Sequence, residues 1–280
     1  MVNKKRLIRL IQKLIQIDSQ NPPGDERQIA RFVGAYLAAL GLKTKTYSFS
    51  DKRVNVLAIL KGKKCAKRVE RAKSLLLTPH LDTVPAGKSW KQEPFRGSII
   101  KDKVYGLGAT DCKGNLASSL EAINSIVEEK IPLDYDLIFA ATADEESGSG
   151  LGLIPLLERK ILKVDAAVVL DTDDFEIVVT QKGLVHLTVR IKGKKAHGAY
   201  PWLGINAIDI AVKIITDLKK QRIPYKKNRY LRKPTVNIGT INGGDKVNVV
   251  SDWCEFQLDF RFLPGTSEKH FLQNLKKIIS

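Results

Sequence analysis

The sequence predicts an α/β layered domain followed by a smaller α+β domain. In the earlier part of the chain, continuous apolar runs of strand length alternate with segments of helical periodicity. In the later part, apolar and polar residues alternate, as they do in half-exposed strands. A length of 280 residues with 43% hydrophobic residues allows one large core or two smaller ones.

Two amphipathic helices open the chain, because apolar residues recur at helical spacing within residues 7–15 and 29–40. Four apolar runs of strand length follow, and two helical patterns separate the last three of them. The continuity of these runs predicts strands covered on both faces. In chain order the segments are strand 54–60, strand 74–78, helix 114–129, strand 136–142, helix 151–160 and strand 166–170.

The pattern changes after Gly183, where alternating segments replace the continuous apolar runs. The order of the predicted elements is β-α-β-β-α, which is typical of a split βαβ sandwich without its closing strand. We therefore divide the chain into residues 1–181 and 182–280. The later elements are strand 184–191, helix 204–220, strands 235–241 and 253–262, and a helix from about 266.

The formal net charge of +17 is the unusual bulk property of this chain. Two basic runs contribute to it, at 61–73 and 219–233, and the second contains Tyr225 and Tyr230. Interleaved aromatic and basic residues occur in nucleic-acid-binding proteins, but a charge run is more often a solvated loop or helix face. We favour the solvated interpretation. A positive field can also attract an anionic small substrate.

The sequence favours a cytoplasmic location and no membrane association. Three scattered cysteines, Cys65, Cys112 and Cys254, fit a reducing compartment better than a disulfide framework. The amino terminus lacks an apolar stretch with a cleavage site, and every apolar run is shorter than the roughly 18 residues of a membrane span.

Acidic residues and a histidine follow the predicted strands. In an open α/β sheet, ligands bind beyond the carboxyl ends of the strands, so these positions are the first candidates for a site. The adjacent carboxylates at 144–146 repel one another unless they splay into water or surround cations. A solvated glycine-rich turn is the alternative, and the other strand ends make it the less favoured one. The candidates are His80, Asp82, Asp111, Asp144, Glu145, Glu146 and Asp171.

The composition of these strand ends predicts a metal site. His80 and Asp82 are two residues apart, so an extended segment points both to one side and the carboxylate can orient the imidazole. With Asp111, Glu146 and Asp171 they supply nitrogen and oxygen ligands that suit zinc, with manganese or cobalt as alternatives. Two close ions would let a carboxylate beside a ligand act as general base.

Several motifs occur in the order of one known family. The sequence resembles the dinuclear zinc hydrolases that include aminoacylase, carboxypeptidase G, acetylornithine deacetylase and succinyl-diaminopimelate desuccinylase, from NPPGDE at 21–26 to Arg261. This resemblance implies a mixed, mostly parallel catalytic sheet flanked by helices, with an inserted ferredoxin-like α+β lid that also forms a dimer. The motifs are PHLDTVPAG, YGLGATDCKGN, ATADEESGSG, KAHGAYPWLGINAI and INGGDKVNVVSDWCEFQLDFR.

The resemblance implies a set of ligands for two zinc ions. One ion would be held by the histidine and the aspartate after the last strand, the other by the glutamate, and one aspartate would bridge both. It also implies a cis peptide at Asp111–Cys112. Asp173 and Asp174 are alternatives to the last of these ligands, which we prefer because it directly ends the apolar strand. The expected ligands are His80, Asp111, Glu146 and Asp171.

The resemblance also implies catalytic and substrate-binding roles. Glu145 would act as the general base, and Asp82 would steer the histidine ligand. His197 would stabilise the oxyanion in the active site of the partner subunit. Arg261, assisted by Asn248, would bind the carboxylate of the substrate.

The implied activity is that of a metal-dependent hydrolase that cleaves the amide bond of an N-acyl amino acid in amino-acid biosynthesis. A dipeptidase or carboxypeptidase of the same family is the alternative. Its substrate would be a small molecule, it would form a homodimer through the lid, and nucleic acid is not favoured as a partner.

The sequence departs from the family pattern after Arg261. Family members return from the lid to complete the catalytic sheet and to supply a second histidine ligand, whereas this chain has only His270 there, on a predicted helix. We therefore expect that the carboxyl-terminal part of the catalytic domain is missing. A non-catalytic remnant or interaction module is the second hypothesis, with the run at 219–233 as its nucleic-acid-binding surface.

Overall fold

A computed structural model of the chain describes residues 1–63, 73–171, 176–266 and 268–279. It divides into two units, Met1–Glu176 and Ile177–Ser280, which we call unit 1 and unit 2. Most of the first basic run lies outside the described residues.

Unit 1 carries the predicted alternation of strands and helices. Every strand predicted there is present, with ends that differ by one residue at most. Its elements are α1 (Lys4–Ile15), α2 (Arg27–Ala39), β1 (Lys43–Ser50), β2 (Arg53–Leu60), β3 (Ser74–Thr78), β4 (Ser98–Ile100), β5 (Lys103–Tyr105), α3 (Lys113–Glu128), β6 (Asp136–Ala141), α4 (Leu153–Glu158) and β7 (Ala166–Val169).

The main sheet of unit 1 has five strands in the order β1-β2-β6-β3-β7. β3 pairs in parallel with β6 on one side and with β7 on the other. β2 runs antiparallel to both of its neighbours, so it is opposed to the other four strands of this sheet. The prediction of a mixed, mostly parallel sheet flanked by helices is therefore confirmed.

The core of unit 1 lies between this sheet and helices α1, α2 and α3. Apolar residues of the three helices pack against the inner face of β2 and β6, where Phe139 is 1% exposed. A smaller cluster that includes Leu57, Leu76 and Leu156 covers the other face. Burial on both faces explains why these strands show no alternation in sequence.

Two features of the sheet differ from the sequence prediction. β7 is not covered on both faces: all four of its residues are exposed, because it is an edge strand paired only with β3 in the described structure. β1 was not predicted at all. Its sequence, KTKTYSFS, is polar and rich in lysine and serine, a composition that is typical of an edge strand and carries a weak strand signal.

Unit 2 contains a three-stranded antiparallel sheet in the order β8-β10-β9. Its buried residues alternate along β10, and they pack with both helices to form the core of this unit. The element order is the predicted β-α-β-β-α. The elements are β8 (Gly183–Lys192), α5 (Ala207–Lys220), β9 (Thr235–Gly243), β10 (Trp253–Phe262) and α6 (Glu268–Ile279).

The second basic run begins at the end of α5 and continues through irregular backbone to β9. Arg229 lies over the ring of Tyr230, 5.5 Å from its centroid. Nucleic-acid binding by this run stays a prediction. Within the described ranges, none of the helices has the length and apolar character needed to cross a membrane.

Phe139→Ala should destabilise unit 1 by about 3–5 kcal/mol, because it opens a cavity in the middle of the core. Hydrogen exchange followed by mass spectrometry should show faster exchange in β2, β3 and β6. Ile99→Ala is the control, since Ile99 is 51% exposed and its truncation should change exchange little. Equal effects of the two variants would contradict the placement of the core.

Candidate metal centre

The carboxyl ends of β6, β3 and β7 are neighbours because these strands run in parallel. His80 lies two residues beyond β3 and forms an isolated bridge with Thr142, directly after β6. Asp171 lies two residues beyond β7. Asp111 precedes α3, and the Asp111–Cys112 peptide is cis, as the resemblance implied. The topology thus brings residues from distant parts of the sequence to one edge of the sheet.

His80 is the centre of this cluster. Its Nε2 lies 2.8 Å from Asp111 Oδ1 and 3.4 Å from Asp171 Oδ1. The potential ligand atoms of His80, Asp111, Cys112 and Asp171 all lie within 4.8 Å of one another. The histidine side chain is 2% exposed, whereas those of the two aspartates are 52% and 33% exposed. A cation can therefore approach from the aspartate side.

The electrostatics of the cluster favour positive charge at His80. Burial lowers the pKa of His80, but hydrogen bonds to Asp111, Asp171 and Asp82 outweigh burial, so the pKa is raised. The bond to His80 in turn lowers the pKa of Asp171. The same carboxylates would favour a metal cation in place of the proton on Nε2, and a neutral imidazole nitrogen that faces two carboxylates is a donor set that fits zinc.

Cys112 is a further potential donor that the sequence did not point to. It is fully buried, and its Sγ donates a hydrogen bond to the carbonyl oxygen of Leu170 at 2.9 Å. Its sequence position beside Asp111 was the available signal. Cys112 and Cys254 are both free thiols, and Cys65 lies outside the described residues.

Asp82 faces Nδ1 of the histidine with both its backbone oxygen and its carboxylate. His80 Nδ1 donates to the backbone oxygen of Asp82 at 3.0 Å, while the nearest carboxylate oxygen lies 3.5 Å away. The carboxylate accepts the backbone N–H groups of Glu145, at 3.1 Å, and Glu146, at 3.2 Å. Asp82 therefore connects the histidine segment to the turn at residues 144–146, which carries both glutamates and which we call the acid turn.

Glu145 and Glu146 lie in a short 3-10 turn after β6, and both are half-buried. Burial and the negative charge of nearby carboxylates raise the pKa of each glutamate. Glu146 Oε1 accepts the backbone N–H of Val84 at 3.1 Å. Among the residues that the structure describes, Glu146 is not part of the group around His80.

The predicted site residues of unit 2 lie in two places. His197 forms an isolated bridge with Val249, and the N–H of Gly198 donates to the backbone oxygen of Asn248 at 2.8 Å, so His197 and Asn248 lie on adjacent backbone segments. Arg261, on β10, donates from Nε and Nη2 to Asp259 at 2.8 and 2.9 Å.

The remaining candidates from the sequence are two aspartates and two histidines. The alternatives to Asp171, which are Asp173 and Asp174, lie outside the described residues. His186 lies on β8 with Nε2 3.3 Å from Asp259 Oδ2. His270 lies on α6, where its Nε2 is 3.2 Å from the amide of Asn274.

A buried ionic network beside the acid turn escapes the sequence patterns. Arg53 opens β2 and is 7% exposed. Its Nη2 lies 2.8 Å from Glu26 Oε1 and 2.9 Å from Asp144 Oδ1. The signal that could have revealed it is an arginine at the head of an apolar strand, because a buried charge has to be paired.

Both units match models of known peptidase families. Residues 179–280 match the Peptidase dimerisation domain of M20 peptidases, and residues 55–171 match Peptidase family M28. An acetylornithine deacetylase from Yersinia pseudotuberculosis is 33% identical over 245 residues, which are 85% of this chain and 61% of that protein. The chain therefore carries peptidase-family domains in both units and is a homologue of acetylornithine deacetylases.

Solved structures of M20 family members and other peptidases share this fold. A tripeptidase from Staphylococcus aureus is 26% identical, with a TM-score of 0.76, over 100% of this chain and 72% of its own. An M20 metallo-carboxypeptidase from Sulfolobus solfataricus has a TM-score of 0.78 at 21% identity, over 98% and 75% of the two chains. This chain therefore spans only part of the length of its relatives.

The charge balance around Arg53 generates a pH-dependent prediction. One guanidinium faces two buried carboxylates, and burial raises the pKa of Glu26 to about 7 because Arg53 only partly offsets it. A carboxyl pKa that is higher in the folded state stabilises the fold below the unfolded-state value, and this contribution is lost as pH rises through about 7.

The free energy of unfolding should therefore fall between pH 5 and pH 8 by up to about 3 kcal/mol through Glu26 alone. Glu26→Gln should remove this component, so that the difference between wild type and variant changes with pH in urea unfolding. Glu158→Gln, on the exposed side of α4, controls for the loss of one negative charge. A pH-independent difference for Glu26→Gln would show that Glu26 is ionised throughout.

Proposed function

We propose that this chain carries the active site of a metal-dependent hydrolase that cleaves the amide bond of N-acyl amino acids. The convergence of Asp111 and Asp171 on His80 Nε2, with the half-buried Glu145 beside them, is the observation that supports this activity. The names of relatives at 33% identity support an N-acetylated amino acid such as acetylornithine as substrate.

Zinc is the proposed cofactor, with cobalt or manganese as substitutes. His80, Asp111 and Asp171 would hold one ion, and Glu146 would join Asp111 in holding a second. When bound, zinc supplies electrophilic assistance to the amide carbonyl and acidifies the attacking water. Imidazole and carboxylate are the ligand types that zinc takes from proteins, and both converge here.

Glu145 is the proposed general base and acid. Its Oε atoms would take a proton from the attacking water and later give it to the nitrogen of the leaving amine. A raised pKa suits both steps, because a group that titrates closer to neutral pH exchanges protons more readily at that pH. Asp82 accepts the backbone N–H of Glu145 and thereby fixes the backbone position from which the Glu145 side chain extends.

Unit 2 would supply substrate recognition and the dimer contact. His197 would stabilise the oxyanion in the partner subunit's site, and Arg261 with Asn248 would bind the substrate carboxylate. Asp259 already holds two donors of the Arg261 guanidinium, which fixes its plane for a second carboxylate. In this proposal residues 1–181 form the catalytic portion and 182–280 the lid, and the protein acts as a cytoplasmic homodimer.

Cleavage of short peptides is the second candidate function. The tripeptidase from Staphylococcus aureus shares the fold of the whole chain at 26% identity, a value not far below that of the deacetylases. A di- or tripeptide also presents an amide bond and a terminal carboxylate. The two functions differ in the substrate and share the proposed metal centre.

Glu145→Gln should reduce kcat for N-acetylornithine by about 100-fold or more, because the amide cannot take up the proton. The assay compares N-acetylornithine, N-succinyl amino acids and tripeptides, each with and without a chelator. Hydrolysis of acylated amino acids in preference to peptides supports the first function, and the reverse preference supports the second.

Glu158→Gln is the matched control, since it makes the same chemical change at an exposed position. Zinc content should stay equal in both variants and the wild type, because Glu145 is not a proposed ligand. Full activity of Glu145→Gln, or activity that survives removal of metal, would exclude the proposed mechanism. Salt-sensitive nucleic-acid binding without hydrolysis would instead favour an interaction module.

A further inference from the structure

Asp144 is the least obvious member of the acid turn, because it is neither a proposed ligand nor a proposed base. It is 7% exposed, and its backbone is left-handed, with φ 66° and ψ 23°. This conformation is uncommon for a residue other than glycine and has to be held by its surroundings. Glu145 follows directly, so the backbone angles of Asp144 decide the direction in which the turn leaves β6.

Three donors from separate segments hold the Asp144 carboxylate. Oδ1 accepts from Arg53 Nη2 at 2.9 Å and from Asn21 Nδ2 at 3.4 Å, and Oδ2 accepts the N–H of Leu151 at 2.9 Å. Arg53 is the charged donor among them. A charge-assisted hydrogen bond is roughly twice as strong as a neutral one.

Asn21 connects this carboxylate to that of Asp82. Its Nδ2 donates to Asp82 Oδ2 at 2.8 Å as well as to Asp144, and its Oδ1 accepts from Arg53 Nη1 at 3.4 Å. Asp82 in turn holds the backbone N–H groups of Glu145 and Glu146. The Arg53 guanidinium therefore contacts Asp144 directly and reaches Asp82 through Asn21. It supports both carboxylates that hold the acid turn.

The segment that precedes α2 is fitted around the guanidinium. Gly24 has φ +76°, and a Cβ at this position would overlap Arg53. Glu26, fully buried at the start of α2, lies 2.8 Å from Arg53 Nη2. Arg53 is thus enclosed between the acid turn and the segment before α2, and its removal would leave buried carboxylates without a counter-charge.

We propose that Arg53 is a positioning residue that acts through Asp144 to fix the turn bearing Glu145 and Glu146. The role assigned to the two glutamates rests on the proposed function. Arg53 itself offers no ligand atom to a metal ion, because its guanidinium stays protonated and is a hydrogen-bond donor only. Its effect on the metal centre is therefore indirect, through the backbone that Asp144 and Asp82 hold.

The test compares Arg53→Met with Arg6→Met. Both variants remove a guanidinium that pairs with a buried carboxylate of unit 1, since Arg6 Nε lies 2.6 Å from Glu121 Oε2. Arg6 joins α1 to α3 rather than to the acid turn. Any loss that reflects reduced stability alone should appear in both variants.

Zinc affinity is measured by competition with a chelator on metal-free protein reloaded with zinc. Arg53→Met should weaken zinc binding by about tenfold, the lower end of the effect of removing a direct partner of a metal ligand, because Arg53 acts on the ligand Glu146 only through the backbone of its turn. Arg6→Met should stay within about threefold of wild type. Arg53→Lys, which keeps the charge and loses the fork, should recover part of the affinity. Equal zinc affinity in Arg53→Met and Arg6→Met would refute the positioning role.

Kinetics provide a second readout. Arg53→Met should lower kcat while KM for N-acetylornithine stays within about threefold, because the turn carries the base and Arg53 does not contact substrate. If Arg53→Met does not fold, Asp144→Asn takes its place: asparagine tolerates the left-handed backbone but cannot accept from both Arg53 and Leu151 with a full charge. It should weaken zinc binding too, and wild-type affinity in this variant would overturn the proposal.

The two proposals fail in different ways. If the wild-type chain hydrolyses none of the acylated amino acids or peptides, the proposed function is wrong. The comparison of zinc affinities still decides whether Arg53 positions the acid turn.

Discussion

Parallel pairing of β3 with both β6 and β7 is the constraint on which the site depends. Because the three strands run in one direction, their carboxyl ends meet at one edge, and the residues that follow them are brought together. His80, Asp171 and the acid turn all reach the site this way. Asp111 arrives from the other side, at the start of α3. A change of direction in any one of these strands would move its acidic residue to the opposite end of the sheet.

The crowded aspartates at this edge are tolerated because each has a partner. Asp111 and Asp171 face His80, and Asp82 accepts three donors from Asn21 and the acid turn. The half-buried glutamates face no cationic partner of this kind among the described contacts, although Glu146 accepts the backbone N–H of Val84. Burial and the neighbouring carboxylates raise the pKa of both. That difference separates Asp82, whose carboxylate shapes the site, from Glu145, whose carboxylate is suited to move a proton.

Much of the fold was predictable because apolar continuity and periodicity report burial directly. The strands β2, β3 and β6 follow from that signal, and the edge strand β1 escapes it because its residues are polar. The convergence of His80 and Asp171 was predictable from strand ends, and Asp111 was a candidate from its glycine-bracketed loop. The geometry around Asp82 was not, since the sequence cannot show that its carboxylate holds the turn while its backbone holds the imidazole.

Arg53 is a second feature that the sequence does not predict. Its importance depends on contacts with residues that are distant in sequence, namely Asn21 and Asp144, and no local pattern encodes them.

The most direct measurement is zinc X-ray absorption spectroscopy on the wild-type chain after dialysis. We predict bound zinc with a first shell of nitrogen and oxygen at about 2.0–2.2 Å and the outer scattering of an imidazole, as His80 with Asp111 and Asp171 would give. A sulfur shell at about 2.3 Å would make Cys112 a ligand and contradict this centre. Loss of all zinc on dialysis would contradict it as well.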